Sequence, residues 1–399
     1  MRIGVVPNLD RSAGGVYQYA VTMLEALADL ATADEFVVFT YVGDEVPAGL
    51  QLPGPVVELR RAAGPLGAVG AGLARLAGGD GVTDGAWRAF FARHGIDLLL
   101  FTADNDLAVR TGVPYIVAVH DIQHRLHPEF PEVSVDGEWQ RREDRLVPLI
   151  AGAAVVLVDS EVGREDILEH YGHTGIAPAA VRPLPFLPAH YLTRPDEATV
   201  AAVRAELGLP EGYLFYPAQF WPHKNHERIV QALGFLAAGG LRLPVVFAGS
   251  HAGALRDETF ERVMCTAGDL GVADLVHCTG YVPDETMSAL YAGALALVMP
   301  TFFGPTNIPA LEAFEFGCPV ITSDIRGIRE HVGGAALLVD PASAVSIADA
   351  IRRVATEPGL REDLVARGHA WLAGYTRDDH LALLRETLDA ARAGIGGGA

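Results

Sequence analysis

The stretch Pro300 to Val320, PTFFGPTNIPALEAFEFGCPV, holds the residues best placed to do chemistry. The apolar run Leu295 to Met299 leads into a Gly/Pro loop, and the loop opens a helix that carries Glu312 in its first turn and stops near Gly317-Cys318-Pro319. Strand, loop and helix N-terminus together receive anions, because the first N–H groups of a helix lack internal partners and the macrodipole adds roughly half a positive charge there. Gly304 lets the backbone come close to a ligand, and Pro309 suits the start of a helix. Glu312 is acidic where a bare phosphate site would carry no negative charge, so its expected task is accepting hydrogen bonds from hydroxyl groups, such as those of a ribose.

Other residues belong to the same chemistry. Lys224, in the run Gln219-Phe220-Trp221-Pro222-His223-Lys224-Asn225, follows an apolar strand and precedes a helix beside an Asn able to cap it. There it would neutralise a diphosphate as a point charge. Arg326 and Arg329 follow a later strand and either reach the same phosphates or form a solvated basic pair. His120-Asp121 directly follows the apolar run Tyr115 to Val119. His120 would hydrogen-bond a substrate hydroxyl, steady developing charge, or serve structure alone. His124 and His127 are near, but Pro128 follows at once and no further carboxylate is placed with them, which argues against a metal centre. Asp104-Asn105-Asp106 is formally a metal-binding DxD and reads better as a polar loop. Gly14-Gly15 permits close approach of backbone to a phosphate, or makes a plain turn. Gly280-Tyr281-Val282-Pro283 either offers backbone groups to a nucleotide base or is an ordinary loop. Neither a GxGxxG fingerprint nor a P-loop is present.

These residues need strand ends to stand on. Apolar runs at Ile3–Val6, 36–39, 97–101, 115–119 and 154–158 are continuous rather than alternating, which predicts a parallel sheet covered on both faces by helices. Residues 177–196 hold five prolines and read as a linker. A second strand series follows at 213–216, 244–249, 276–278, 295–299, 319–322 and 336–339. The expected division is 1–190 and 191–375, two Rossmann-like α/β domains facing a cleft, with 376–399 a helix crossing back to the first. Residues 60–79, rich in Ala, Gly and Leu, predict a surface helix or a patch facing lipid or acceptor.

At 399 residues the chain suits two domains. A net charge of −20 argues against nucleic acid and a polybasic membrane anchor. Three cysteines without CxxC spacing read as buried thiols in a reducing compartment. Without a signal-peptide pattern or an apolar run of ~20 residues, the expected location is cytoplasmic, with peripheral contact at the inner membrane face left open.

The motifs resemble those of the GT-B glycosyltransferases of the large retaining family 4. The likeness covers nearly the whole chain: GGV near the start, VHD at 119–121, PAQFWPHKNH at 217–226, GYVPDE at 280–285, GPTNIPALEA at 304–313 and GAALLVDP at 334–341. It implies a nucleotide-diphosphate sugar held mainly by the second domain, a saccharide, lipid-linked or small-molecule acceptor held mainly by the first, and no required metal or other cofactor. Carried over by position, Lys224 meets the diphosphate, Glu312 the ribose, the amides of Thr306, Asn307 and Ile308 the phosphates or sugar, and His120 the sugar near the reacting carbon. Gly15, Gln219, Tyr281, Val282, Gly304 and Arg329 complete the expected donor site. The family often has arginine where Gln219 stands and glutamate where Gly304 stands, so the chain resembles a variant subgroup. Three other readings remain: a catalytically silent nucleotide-sugar-binding or partner-binding paralogue, a nucleotide-sugar epimerase of the same plan, and a two-domain periplasmic-type binding protein, which would need an export signal.

Overall fold

The computed structural model describes residues 1–59, 82–189, 193–304 and 306–396. The Ala/Gly/Leu segment 60–79 lies outside the described residues. Two compact units emerge, one made of Met1–Ile122, Gln140–Phe186 and Arg377–Ala399, the other of Gln123–Trp139 and Leu187–Thr376.

The first unit is built on seven strands, β1 (Arg2–Val6), β2 (Glu35–Thr40), β3 (Val56–Glu58), β4 (Leu98–Phe101), β5 (Tyr115–Ala118), β6 (Val155–Val158) and β7 (Val181–Pro183). Every pairing is parallel, in the order β3-β2-β1-β4-β5-β6-β7. β4, β5 and β6 are buried along their whole length, as strands covered on both faces must be. β7 corrects the linker expectation: Val181–Pro183 lies within 177–196 yet pairs with β6. As an edge strand it needs hydrogen bonds on one side only, which is why it tolerates proline.

The second unit repeats the plan with β8 (Leu214–Tyr216), β9 (Val245–Phe247), β10 (Val276–Cys278), β11 (Ala296–Met299), β12 (Val320–Ser323) and β13 (Ala336–Val339), all parallel in the order β10-β9-β8-β11-β12-β13. The strand order reverses between β8 and β11. The loops leaving these two strands therefore diverge and leave a crevice at their carboxyl ends, the position where doubly wound sheets bind ligands. Residues 123–139, which follow β5 in sequence, pack with this second unit.

The helix Arg377–Gly396 belongs to the first unit. Its Leu384, Leu388 and Ala391 recur at helical spacing and are buried in one core with Leu24 and Leu27 of the helix Gly15–Asp29. Arg377 pairs with Asp29 at 2.7 Å, and Arg392 pairs with Asp34. Among the described residues, no helix is long and apolar enough to cross a membrane.

Truncating Leu384 to Ala should destabilise the first unit by about 2 to 5 kcal/mol through lost burial and the cavity left behind. Urea unfolding followed by fluorescence, in a background where Trp139, Trp221 and Trp371 are replaced by Phe so that Trp87 alone reports, measures it, and an unchanged midpoint would show that the helix does not stabilise this core.

Candidate functional site

The loop leaving β8 makes one turn, Pro222–Lys224, and ends on Asn225, whose φ of 63° lies in the left-handed region. The sequence suggests Asn225 as a helix cap, but its side chain makes no capping bond. Its Nδ2 instead donates to Pro300 O and Pro341 O, both at 2.8 Å. This pins the turn to the end of β11 on the far side of the crevice. Two further bonds lock the turn: the Tyr216 hydroxyl donates to Lys224 O at 3.0 Å, and Phe302 N donates to His223 O at 2.9 Å.

Lys224 thereby meets the other loop. Its ammonium donates to Asn307 Oδ1 at 3.0 Å. Asn307 is the residue at which the helix Ile308–Glu315 begins. Its Nδ2 also donates to Gly304 O, and its own carbonyl accepts a bond from His331 Nε2 at 2.9 Å. Burial pushes the His331 pKa down to about 4, so at neutral pH this ring is an uncharged donor. An ammonium and the positive end of a helix dipole converge at one point, and both favour an anion.

Glu312 lies one turn further into the helix than the sequence suggests. It is the fifth residue, is 3% exposed, and accepts the Tyr291 hydroxyl at 2.6 Å. Gly304 takes φ +84°, and a Cβ there would lie 3.4 Å from the Asn307 side chain. A glutamate at 304 would be strained in this loop. Tyr281 is 68% exposed and Val282 is buried, on the loop after β10. Arg329, expected to reach phosphates, instead pairs with Asp324 at 2.8 Å in an exposed position. Gln219 Oε1 accepts from Trp221 Nε1 at 3.0 Å and from Arg256 Nη1 at 2.7 Å.

In the first unit, His120 follows β5, and its Nε2 lies 2.8 Å from Thr102 O, with Tyr19 edge-on at 4.7 Å. A carbonyl only accepts, so Nε2 carries the proton. Burial lowers the pKa of this imidazole, leaving it neutral with Nδ1 as an acceptor. His120 is thus suited to receive a hydroxyl proton in a hydrogen bond rather than to donate to developing negative charge. Of the neighbouring histidines, His127 bonds Glu129 and His124 lies against Trp139. The Asp104-Asn105-Asp106 loop is tied internally, Asp104 to Arg145 at 2.5 Å and Asn105 to Tyr41. At the start of the helix Gly15–Asp29, it is Gly14 that takes a positive φ of 59°, with Gly15 the first helical residue.

Glu132 is absent from the sequence reading. It sits in the short helix Pro131–Ser134, and its Oε1 accepts from both His223 N at 3.0 Å and His223 Nδ1 at 2.5 Å. The His223 ring stacks on Phe303 at 3.8 Å, and Phe130 packs on both Phe302 and Phe303. Burial alone would raise the Glu132 pKa, but its bonds to His223 outweigh this and hold it below the ordinary 4.5. A pairing across 91 residues has no local signature. The acidic residue after Pro131 at a helix start was the one available clue.

The whole chain superposes on sucrose-phosphate synthase from Thermosynechococcus elongatus with a TM-score of 0.74, covering 98% of this chain and 99% of that one at 21% identity. It superposes on Anabaena Alr3699/HepE in complex with UDP and glucose with a TM-score of 0.73, covering 98% and 100% at 15% identity. The architecture is therefore GT-B, two Rossmann-like domains in one chain. Residues 202–371 match the family described as Glycosyl transferases group 1. Among curated relatives, O-antigen chain mannosyltransferase B of Escherichia coli is 28% identical over 259 residues, 64% of this chain and 65% of that protein. D-inositol 3-phosphate glycosyltransferase of Streptomyces griseus subsp. griseus is 29% identical over 321 residues, 72% of this chain and 66% of that protein.

Replacing Glu132 with Ala leaves two His223 donors without their buried acceptor and should cost about 1 to 3 kcal/mol. The sign with pH follows from the depressed carboxyl: the contribution is present above the unfolded value near 4.5 and disappears as pH falls through the lower folded value. Denaturation of parent and variant at pH 7 and pH 3 should show a gap that closes at the acid end. A gap of equal size at both pH values would refute this account.

Proposed function

We propose that this protein is a retaining, metal-independent glycosyltransferase that moves a sugar from a nucleotide-diphosphate sugar to a saccharide, lipid-linked or small-molecule acceptor. The observation that carries the reading is the meeting of the Lys224 ammonium with Asn307 at the start of the helix Ile308–Glu315, 3.0 Å apart at the switch point of the second sheet. That point is built for the diphosphate. Glu312, behind it, is assigned to the ribose hydroxyls, the exposed Tyr281 to the base, and the acceptor to the first unit.

In the proposed reaction the bond between the anomeric carbon and the diphosphate oxygen breaks, and its electron pair leaves with the nucleotide. The acceptor oxygen bonds to the same carbon from the same face, and its proton passes to the departing phosphate. The barrier is dominated by negative charge growing on the leaving group, which Lys224 and the amides of Thr306 to Ile308 oppose. His120 accepts a hydrogen bond from a sugar hydroxyl through Nδ1. A second reading, a nucleotide-sugar-binding protein without transfer, is favoured by Gly304, whose backbone disfavours the glutamate expected there.

Lys224→Ala should lower transfer by about a hundredfold or more, the usual loss for one preorganised donor on developing charge, while melting stays near parental. An unchanged rate would sink the assignment. In a thermal-shift panel of nucleotide sugars, a true donor at about 100 times its Kd adds about 2.7 kcal/mol to stability. Binding without release of nucleotide from any donor and acceptor pair would favour the second reading.

A further inference from the structure

We propose that Arg256 is a ligand of the donor diphosphate, aimed by Gln219 and Trp221, so that the guanidinium charge at this site comes from the loop after β9. The inference rests on the donor site proposed above and adds a residue to it. Arg256 lies in the first turn of the helix Ala254–Asp269, half-buried. β9 is the neighbour of β8 on the side away from β11. The loops leaving β8 and β9 run in contact: Phe220 N donates to Ser250 O, and a Cβ on Gly249 would fall 2.1 Å from Ala218 O. Only glycine allows that approach, and it brings the start of this helix over Gln219.

Gln219 then acts as an orienting acceptor. Its one Oε1 takes both the Arg256 Nη1 bond at 2.7 Å and the Trp221 Nε1 bond at 3.0 Å, while the Arg256 guanidinium lies over the Trp221 ring at 4.8 Å. A flat cation held by an amide and an indole has its orientation set and its charge left uncompensated. Arg242, Arg262, Arg329 and Arg353 of the same unit each pair with a carboxylate, whereas Arg256, like Arg228 with Gln231, bonds a side-chain amide. In a chain of net charge −20, a half-buried guanidinium oriented only by neutral groups is suited to an external anion. An arginine at position 219 would repel Arg256 and remove its acceptor. The two arrangements are thus alternatives for delivering one guanidinium.

The test titrates uridine, guanosine and adenosine diphosphates, and each parent nucleoside, into the full chain by calorimetry. For the nucleotide that binds, Arg256→Met should weaken the diphosphate by about 10- to 100-fold and reduce its salt dependence, while the nucleoside changes less than about twofold. Arg256→Gln, which keeps a polar group in the same place, should behave alike. Adding Gln219→Arg to Arg256→Met should recover most of the diphosphate affinity. Parental affinity in both single variants overturns this proposal and leaves the donor site standing. Equal weakening of diphosphate and nucleoside also overturns it, because that marks a fold defect. If the parent chain binds none of the three diphosphates, the donor-site reading fails and this inference with it.

Discussion

The second unit depends on one buried side chain amide. Asn225 reaches across the gap opened by the reversal of strand order and donates to two carbonyls, one at the end of β11 and one at Pro341 beyond β13. Its own backbone is left-handed, a conformation that Asn adopts more readily than most side-chain-bearing residues. The strain and the two bonds belong together, because the turn Pro222–Lys224 reaches this end point only through that backbone. Everything that positions Lys224 follows. The His223 and Lys224 carbonyls are both held by donors, so the main chain under the ammonium cannot drift, and only the flexible stem of the lysine adapts to a ligand.

Near this turn, burial keeps the rings of His331 and His226 neutral. His331 is driven down to about 4 and His226 to about 3, while His120 in the first unit is lowered for the same reason. Neutral rings supply directed donors and acceptors without altering the charge balance. His331 thereby steadies the backbone of Asn307, and its proton stays in place through the physiological range. The ionisable groups of the proposed donor site are Lys224, Arg256 and Glu312.

Much of this was legible in the chain. Runs such as Val298-Met299 and Val155-Val156 are apolar on both faces, and that composition already demands a covered parallel sheet, which is how both sheets turned out. The leucine spacing near the C-terminus likewise marked a buried stripe. The short edge strands β3 and β7 were not legible, because neither forms a continuous apolar run: β3 ends in glutamate and β7 reads Val-Arg-Pro. Lys224, Asn307 and Glu312 stood out because each lies near a strand end or helix start. Glu132, His331 and Arg256 did not, since their partners lie 91, 24 and 37 residues away and no local pattern records a pairing of that kind.

The two positions at which the sequence departs from its resemblance have different physical characters. At Gln219 the change is one of side chain: an amide replaces a cation, and a guanidinium from the adjoining loop bonds to that amide. At Gly304 the change is one of backbone. With φ at +84°, the peptide turns so that its carbonyl faces Asn307 Nδ2, and the Asn307 side chain occupies the space into which a longer residue would project. Restoring glutamate at 304 alone would therefore force a left-handed conformation on a side-chain-bearing residue and crowd the amide that receives Lys224. The loop is not a family loop with one residue missing. It is a different solution, in which Asn307 joins the ammonium, the loop carbonyl and the start of the helix, so under the proposed function a donor sugar is read by groups other than a carboxylate at 304.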